Sequence, residues 1–157
     1  MLTVFKSLPI ADRIARDVDL PPACRAYARD TITLGWEDRL KIRGRRRSDG
    51  GVEFGTSLPR GTILRGGDGL VVDALRLVVT VLERAEPVFL LEPRDAPEWA
   101  LFAYHIGNRH LPLMVAEDGL VCPDVPGVEL LLRQIGIAFV RTTRPFTPAT
   151  APVDHHH

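Results

Sequence analysis

The sequence predicts an α+β protein of two domains: a β-rich N-terminal domain of the sandwich or barrel-like kind, then a ferredoxin-like domain. Three observations carry this. Short apolar stretches broken by glycine-rich turns fill the first half. The second half alternates apolar runs with helix signals in the order β-α-β-β-α-β, the split βαβ pattern. The character changes near Val81–Glu86, which sets the expected domains at 1–82 and 86–147, with a flexible tail over 148–157.

In the first half, Thr31-Ile32-Thr33-Leu34 and Leu40-Lys41-Ile42-Arg43 alternate in part, as half-buried strands do. Asp49-Gly50-Gly51 between Arg45 and Phe54 is turn chemistry and predicts a hairpin. Leu58-Pro59-Arg60-Gly61 is a corner, followed by an expected strand at Thr62–Arg65. Gly66-Gly67-Asp68-Gly69 turns the chain again, and Leu75–Leu82 reads as the last strand.

In the second half, Pro87–Glu92 reads as a central strand. Asp95 can cap a helix, with Glu98 three residues on as its capping-box partner and Pro97 tolerated in the first turn. That helix is expected to carry Trp99 to His105 and to stop at Gly107. Leu111–Val115 is a strand, Glu117-Asp118-Gly119 a turn, and Leu120-Val121-Cys122 the return. A second helix opens at Asp124 or Pro126, buries Val128, Leu131, Leu132 and Ile135, and ends at Gly136. Ile137–Arg141 is the final strand, and disorder is expected from about Thr147.

Lys+Arg and Asp+Glu number 20 each, so the formal net charge is zero, which argues against a general nucleic-acid binder. The run Arg43, Arg45, Arg46 and Arg47 then reads as solvated hairpin-edge charge rather than a phosphate site. Apolar runs are too short and broken for a membrane span. Met1–Lys6 lacks the pattern of a secretory leader, and Cys24 and Cys122 form no CxxC pair. Two reduced thiols in a cytoplasmic protein are therefore expected. No P-loop, HExxH or nucleophile elbow is present, so no enzyme activity is expected.

Chemistry concentrates in Tyr104-His105-Ile106-Gly107-Asn108-Arg109-His110-Leu111-Pro112, which holds two of five histidines. The other three are His155, His156 and His157. Imidazole suits nickel, copper and zinc alike. One His110 cannot hold a metal firmly, but a twofold axis would bring two together, half of a four-ligand site. His105 reads equally as a ligand or as a helix-end histidine beside C-terminal carbonyls. The terminal triplet reads either as a chelating arm or as a purification-tag remnant.

The run Tyr104–Pro112 resembles the Tyr-His-Leu-Gly-Asn-Arg-His-x-Pro signature of UreE-type urease accessory proteins. Arg43-x-Arg45-Arg46, Asp49-Gly50, Glu53-Phe54, Leu58-Pro59-Arg60-Gly61, Gly67-Asp68-Gly69-Leu70 and Leu132-Arg133-Gln134-x-Gly136 resemble that family in order and spacing. The resemblance implies a nickel metallochaperone, not an enzyme. It implies a homodimer joined through the second domains, with His110 of each subunit on nickel. It implies delivery to urease with a UreG-type GTPase and the urease apoprotein complex.

Where some members carry His-x-His before the second helix, this chain has Asp124-Val125-Pro126, so Asp124 offers only a carboxylate. Further ligand candidates are His105, Asp124, His155, His156 and His157, and fewer nickel ions per dimer are expected than in members with long His-rich tails. Zinc or copper could replace nickel in vitro. Nickel affinity is expected to fall as pH drops through about 6.5, because only neutral imidazole ligates. The competing reading is a protein-binding adaptor with a structural or vestigial metal site, whose β-rich domain presents a sheet edge.

Overall fold

A computed structural model describes residues 7–149 and divides the chain into two compact units, one ending at Arg84 and the other beginning at Ala85. The first unit runs β1 (Ile10–Ala11), β2 (Arg13–Ala15), β3 (Ala28–Leu34), α1 (Trp36–Leu40), β4 (Arg43–Arg47), β5 (Glu53–Ser57), β6 (Gly69–Val72) and β7 (Leu77–Glu83). One sheet has the order β1-β5-β4 and the other β2-β6-β7-β3. β1–β5 and β3–β7 pair in parallel, and the other neighbours are antiparallel. Ala11 and Phe54 from the first sheet meet Ile32, Leu70, Val79 and Val81 from the second in one core, as in a sandwich.

Two strand expectations fail here. Leu40–Arg43 is not a strand: Trp36–Leu40 is a helical turn and β4 begins only at Arg43. Glu37 and Asp38 suit that helix's first turn, and Arg39 points inward, 1% exposed. Its guanidinium reaches Glu83 at 3.0 Å and the Leu64 carbonyl at 3.2 Å, as a buried charge requires. Ile42 packs on the core from irregular backbone, which explains the strand-like pattern. Thr62–Arg65 joins no ladder either. Leu64 fills the core, and its N–H binds the Arg39 carbonyl at 3.0 Å instead of a neighbouring strand. The strand expected from Leu75 starts at Leu77, because a 3-10 turn over Asp73–Leu75 and a left-handed Arg76 precede it. Arg46 is another exception to the sequence reading: it is buried, not solvated, and donates to the Asp38 and Lys41 carbonyls at 2.9 and 2.8 Å. Burial pushes its guanidinium pKa below the usual value.

The second unit runs β8 (Glu86–Leu91), α2 (Ala96–Asn108), β9 (Met114–Ala116), β10 (Gly119–Pro123), α3 (Val128–Ile135) and β11 (Val140–Arg144). The sheet order β11-β8-β10-β9, antiparallel throughout, is that of the ferredoxin-like split βαβ fold. Phe89, Leu91, Leu120 and Cys122 form the sheet's share of the core, and Ile106, Val128 and Leu132 the helices' share.

Several boundaries move. β9 starts at Met114 rather than Leu111, and β11 at Val140 rather than Ile137, since Leu111 and Ile137 cover the core just past their helices. α3 opens at Val128 behind a left-handed Gly127, not at Asp124 or Pro126. The Asp124 N–H still binds the Pro87 carbonyl at 3.0 Å, which holds it beside the sheet. Disorder does not begin at Thr147: Phe146 is fully buried, and the Ala149 N–H meets the Leu113 carbonyl at 2.6 Å. Cys24 and Cys122 are free and buried. Among the described residues no helix is long and apolar enough to cross a membrane.

Candidate metal centre

α2 positions the histidine loop, so its two ends decide the geometry. At the start, the Asp95 carboxylate accepts the Glu98 N–H at 2.9 Å, and Pro97 sits in the first turn, where a missing N–H is harmless. The Glu98 carboxylate takes Arg94 at 2.9 Å. Trp99, Phe102, Ala103 and Ile106 recur at helical spacing and pack on the core. Leu101, Tyr104, His105 and Asn108 lie on the exposed side, with Leu101 55% and Tyr104 64% exposed.

The helix does not stop at Gly107. It continues through Asn108, is capped by Arg109, and turns left-handed at His110, whose φ is +55°. The His110 N–H binds the Gly107 carbonyl at 3.0 Å, and the Leu111 N–H binds the Ile106 carbonyl at 3.2 Å. Those two bonds define a Schellman ending with His110 in the left-handed position that glycine normally takes. Gly107 itself is helical, with open space where a side chain would stand. Leu111 beyond the turn packs on the core and fixes where the chain must leave. For a residue with a Cβ, the left-handed conformation costs about 1 kcal/mol.

His110 and His105 are both exposed. The His105 ring lies edge-on to Tyr104, with centroids 5.4 Å apart. Asp124 is engaged elsewhere, in an ion pair with Arg141 at 3.2 Å. Arg141 also reaches Glu129, at 2.6 Å, and Arg133 meets the same Glu129 carboxylate at 3.0 Å. Arg141 first and Arg133 second hold the Glu129 carboxyl below its ordinary range. Among the described residues, no three of His, Cys, Asp and Glu converge, so one protomer does not gather His105, His110 and Asp124 into a single ligand set. His155, His156 and His157 lie outside the described residues. Cys122 is fully buried, and that burial pushes its thiol up to about 12. Among the described residues the site in one chain is thus an exposed imidazole on a tightly held turn, with no three-ligand set gathered around it.

The second unit also carries exposed apolar residues that the spacing of its histidines does not point to. Leu101 and Tyr104 stand three apart on α2 off its core-facing stripe, a spacing that could have marked them, and Val115 on β9 is 62% exposed.

A two-sheet domain joined to a ferredoxin-like domain with an exposed histidine turn defines the architectural class. The family model for the UreE urease accessory protein N-terminal domain matches residues 11–83, and that for its C-terminal domain matches residues 86–157. The urease accessory protein UreE of Burkholderia thailandensis is 40% identical over 139 residues, which cover 88% of this chain and 64% of that one. That of Verminephrobacter eiseniae is 37% identical over 152 residues, covering 94% and 86%. That of Paraburkholderia xenovorans is 38% identical over 127 residues, covering 81% and 56%. The chain therefore spans less than two thirds of two of these relatives and most of the third. It belongs to the UreE urease accessory protein family, whose members are accessory proteins and not urease itself.

Proposed function

We propose that this chain is a nickel carrier for urease maturation, acting in the cytoplasm as a homodimer whose two His110 imidazoles share one ion. The observation that carries the reading is the left-handed backbone at His110. Glycine would take that conformation without strain, so a histidine there is favoured for its side chain and not for the fold. A dimer axis through this face supplies the missing second imidazole, with water or tail histidines completing the sphere. The exposed Leu101, Tyr104 and Val115 of the same unit support burial of part of its surface against a second copy. Few, exposed, neutral ligands also suit a carrier, which has to release its ion. Nickel would pass to the urease apoprotein with a UreG-type GTPase. Zinc and copper would compete for the same imidazoles, copper most strongly.

The test is calorimetric nickel titration, with molar mass in solution, of protein in which His155, His156 and His157 are replaced by alanine. One nickel per dimer, lost on His110→Gly while the dimer persists, is the expected result. Unchanged nickel binding by the His110→Gly protein would sink the assignment.

A further inference from the structure

The two sheets of the first unit end on differently treated edges. The β3 edge is covered by Asp49. Its N–H binds the Thr31 carbonyl at 2.7 Å, and its carboxylate takes the Thr33 N–H at 3.3 Å. The Thr31 and Thr33 hydroxyls donate to the same carboxylate at 2.6 and 3.1 Å. The β4 edge ends its sheet with no further strand among the described residues.

The ladder phase of β4 follows from its two ends. The Ser48 N–H meets the Val52 carbonyl at 2.9 Å, and the Leu58 N–H meets the Ile42 carbonyl at 2.9 Å. Antiparallel bonds recur at every second residue, so Gly44 and Arg46 bond to β5 in the register that pairs them with Thr56 and Phe54. Arg43, Arg45 and Arg47 turn their N–H and C=O groups to the open edge. Side chains alternate as well: Arg46 is buried, whereas Arg43, Arg45 and Arg47 are exposed. None of these three makes an ion pair among the described residues. The acidic neighbour in register is Glu53, opposite Arg47. Among the described residues this edge therefore presents unpaired backbone groups and, in register with them, three cationic side chains at a spacing of about 6.8 Å.

We propose that β4 binds an acidic, extended segment of a partner protein as an added strand, with carboxylates at every second position facing Arg43, Arg45 and Arg47. Main-chain bonds would supply the register and the guanidiniums the selection. The donor–acceptor alternation favours a peptide over a nucleic acid, because a phosphodiester backbone offers acceptors but no donors for the edge carbonyls. The chain's zero net charge makes the stripe a local feature and not part of a general basic surface.

The probe is a fluorescent octapeptide of four Thr–Glu repeats, titrated against the full chain by anisotropy at low and high salt. Controls are a same-composition peptide with its four Glu consecutive, the repeat peptide N-methylated at alternate amides, and a thymidine 20-mer. Tight binding of the repeat peptide alone, weakened about tenfold or more by Arg45→Glu and less by Arg45→Gln, is the expected result. Circular dichroism confirms that both variants stay folded. Equal binding of the consecutive or N-methylated peptide would overturn strand addition, and tighter binding of the 20-mer would replace the partner class with nucleic acid. Indifference to both Arg45 variants would overturn the site. Nickel binding is unaffected by any of these outcomes, so this test and that of the nickel site fail independently.

Discussion

The two helices of the second unit end in the same way on different residues. In α3 the Gly136 N–H binds the Arg133 carbonyl at 3.1 Å, and the Ile137 N–H binds the Leu132 carbonyl at 3.1 Å. In α2 the corresponding donors are His110 and Leu111, and the acceptors Gly107 and Ile106. Both turns pass through the left-handed region, at φ +79° for Gly136 and +55° for His110, and both then send an apolar residue back into the core. Backbone energetics favours glycine at each. Only α3 has it. The same turn is thus built once for stability alone and once at a conformational cost, and the costly copy is the one that displays an imidazole. Histidine is among the residues enriched in this region, so the cost is modest.

The comparison breaks most visibly at His110 itself. His110→Ala should lower interface nickel affinity by more than the roughly 10–100-fold typical of losing second-shell support, because it removes ligands outright. Titration calorimetry reads this, and a smaller loss would mean that the costly turn serves something else. The converse exchange, Gly136→His, should destabilise the protein by about 1 kcal/mol. A side chain there meets nothing within 4 Å, so the cost is conformational and not steric. Nickel binding should be unchanged, and denaturant unfolding gives the stability difference.

His110→Gly sharpens the contrast by separating stability from function. It should stabilise by up to about 1 kcal/mol and raise the melting temperature by about 2–4 °C. A lower melting temperature would show that the imidazole contributes to the fold. The smallest effect concerns acid. Arg141 and Arg133 depress the Glu129 carboxyl, tying α3 to β11. A depressed folded value contributes stability that is present above the unfolded value of about 4.3 and is lost as pH falls through the folded one. Melting curves of wild type and Glu129→Gln should therefore differ above about pH 5 and converge in acid. A constant gap across that range would place the role of Glu129 in packing.

The order of the second unit was legible because its signals are local: Asp95 caps, Gly136 stops, and apolar runs of strand length lie between them. Exits from helices were less legible. Gly107 looks like a stop, yet the place where α2 ends is decided by Leu111 reaching the core, and a histidine does not announce a left-handed backbone. In the first unit, Leu64 has the burial of a strand residue without the ladder, since one buried side chain needs no pairing partner. β1 is two residues long and pairs in parallel with the distant β5, so no nearby residue betrays it. At the candidate site, sequence supplied the histidines but not their geometry. If the ligands are shared between copies, as proposed above, the spacing within a single chain carries no trace of the set.

Each unit also holds one buried thiol: Cys24, 2% exposed, in the first, and Cys122, fully buried, in the second. A thiol-reactive dye added to the native protein can label either only when its own unit opens. The two thiols thus report on the opening of the two units separately. Ligands that grip only the folded second unit, such as a metal on the His110 turn, should slow labelling of Cys122 and leave that of Cys24 unchanged. Added Thr–Glu peptide on β4 should do the reverse.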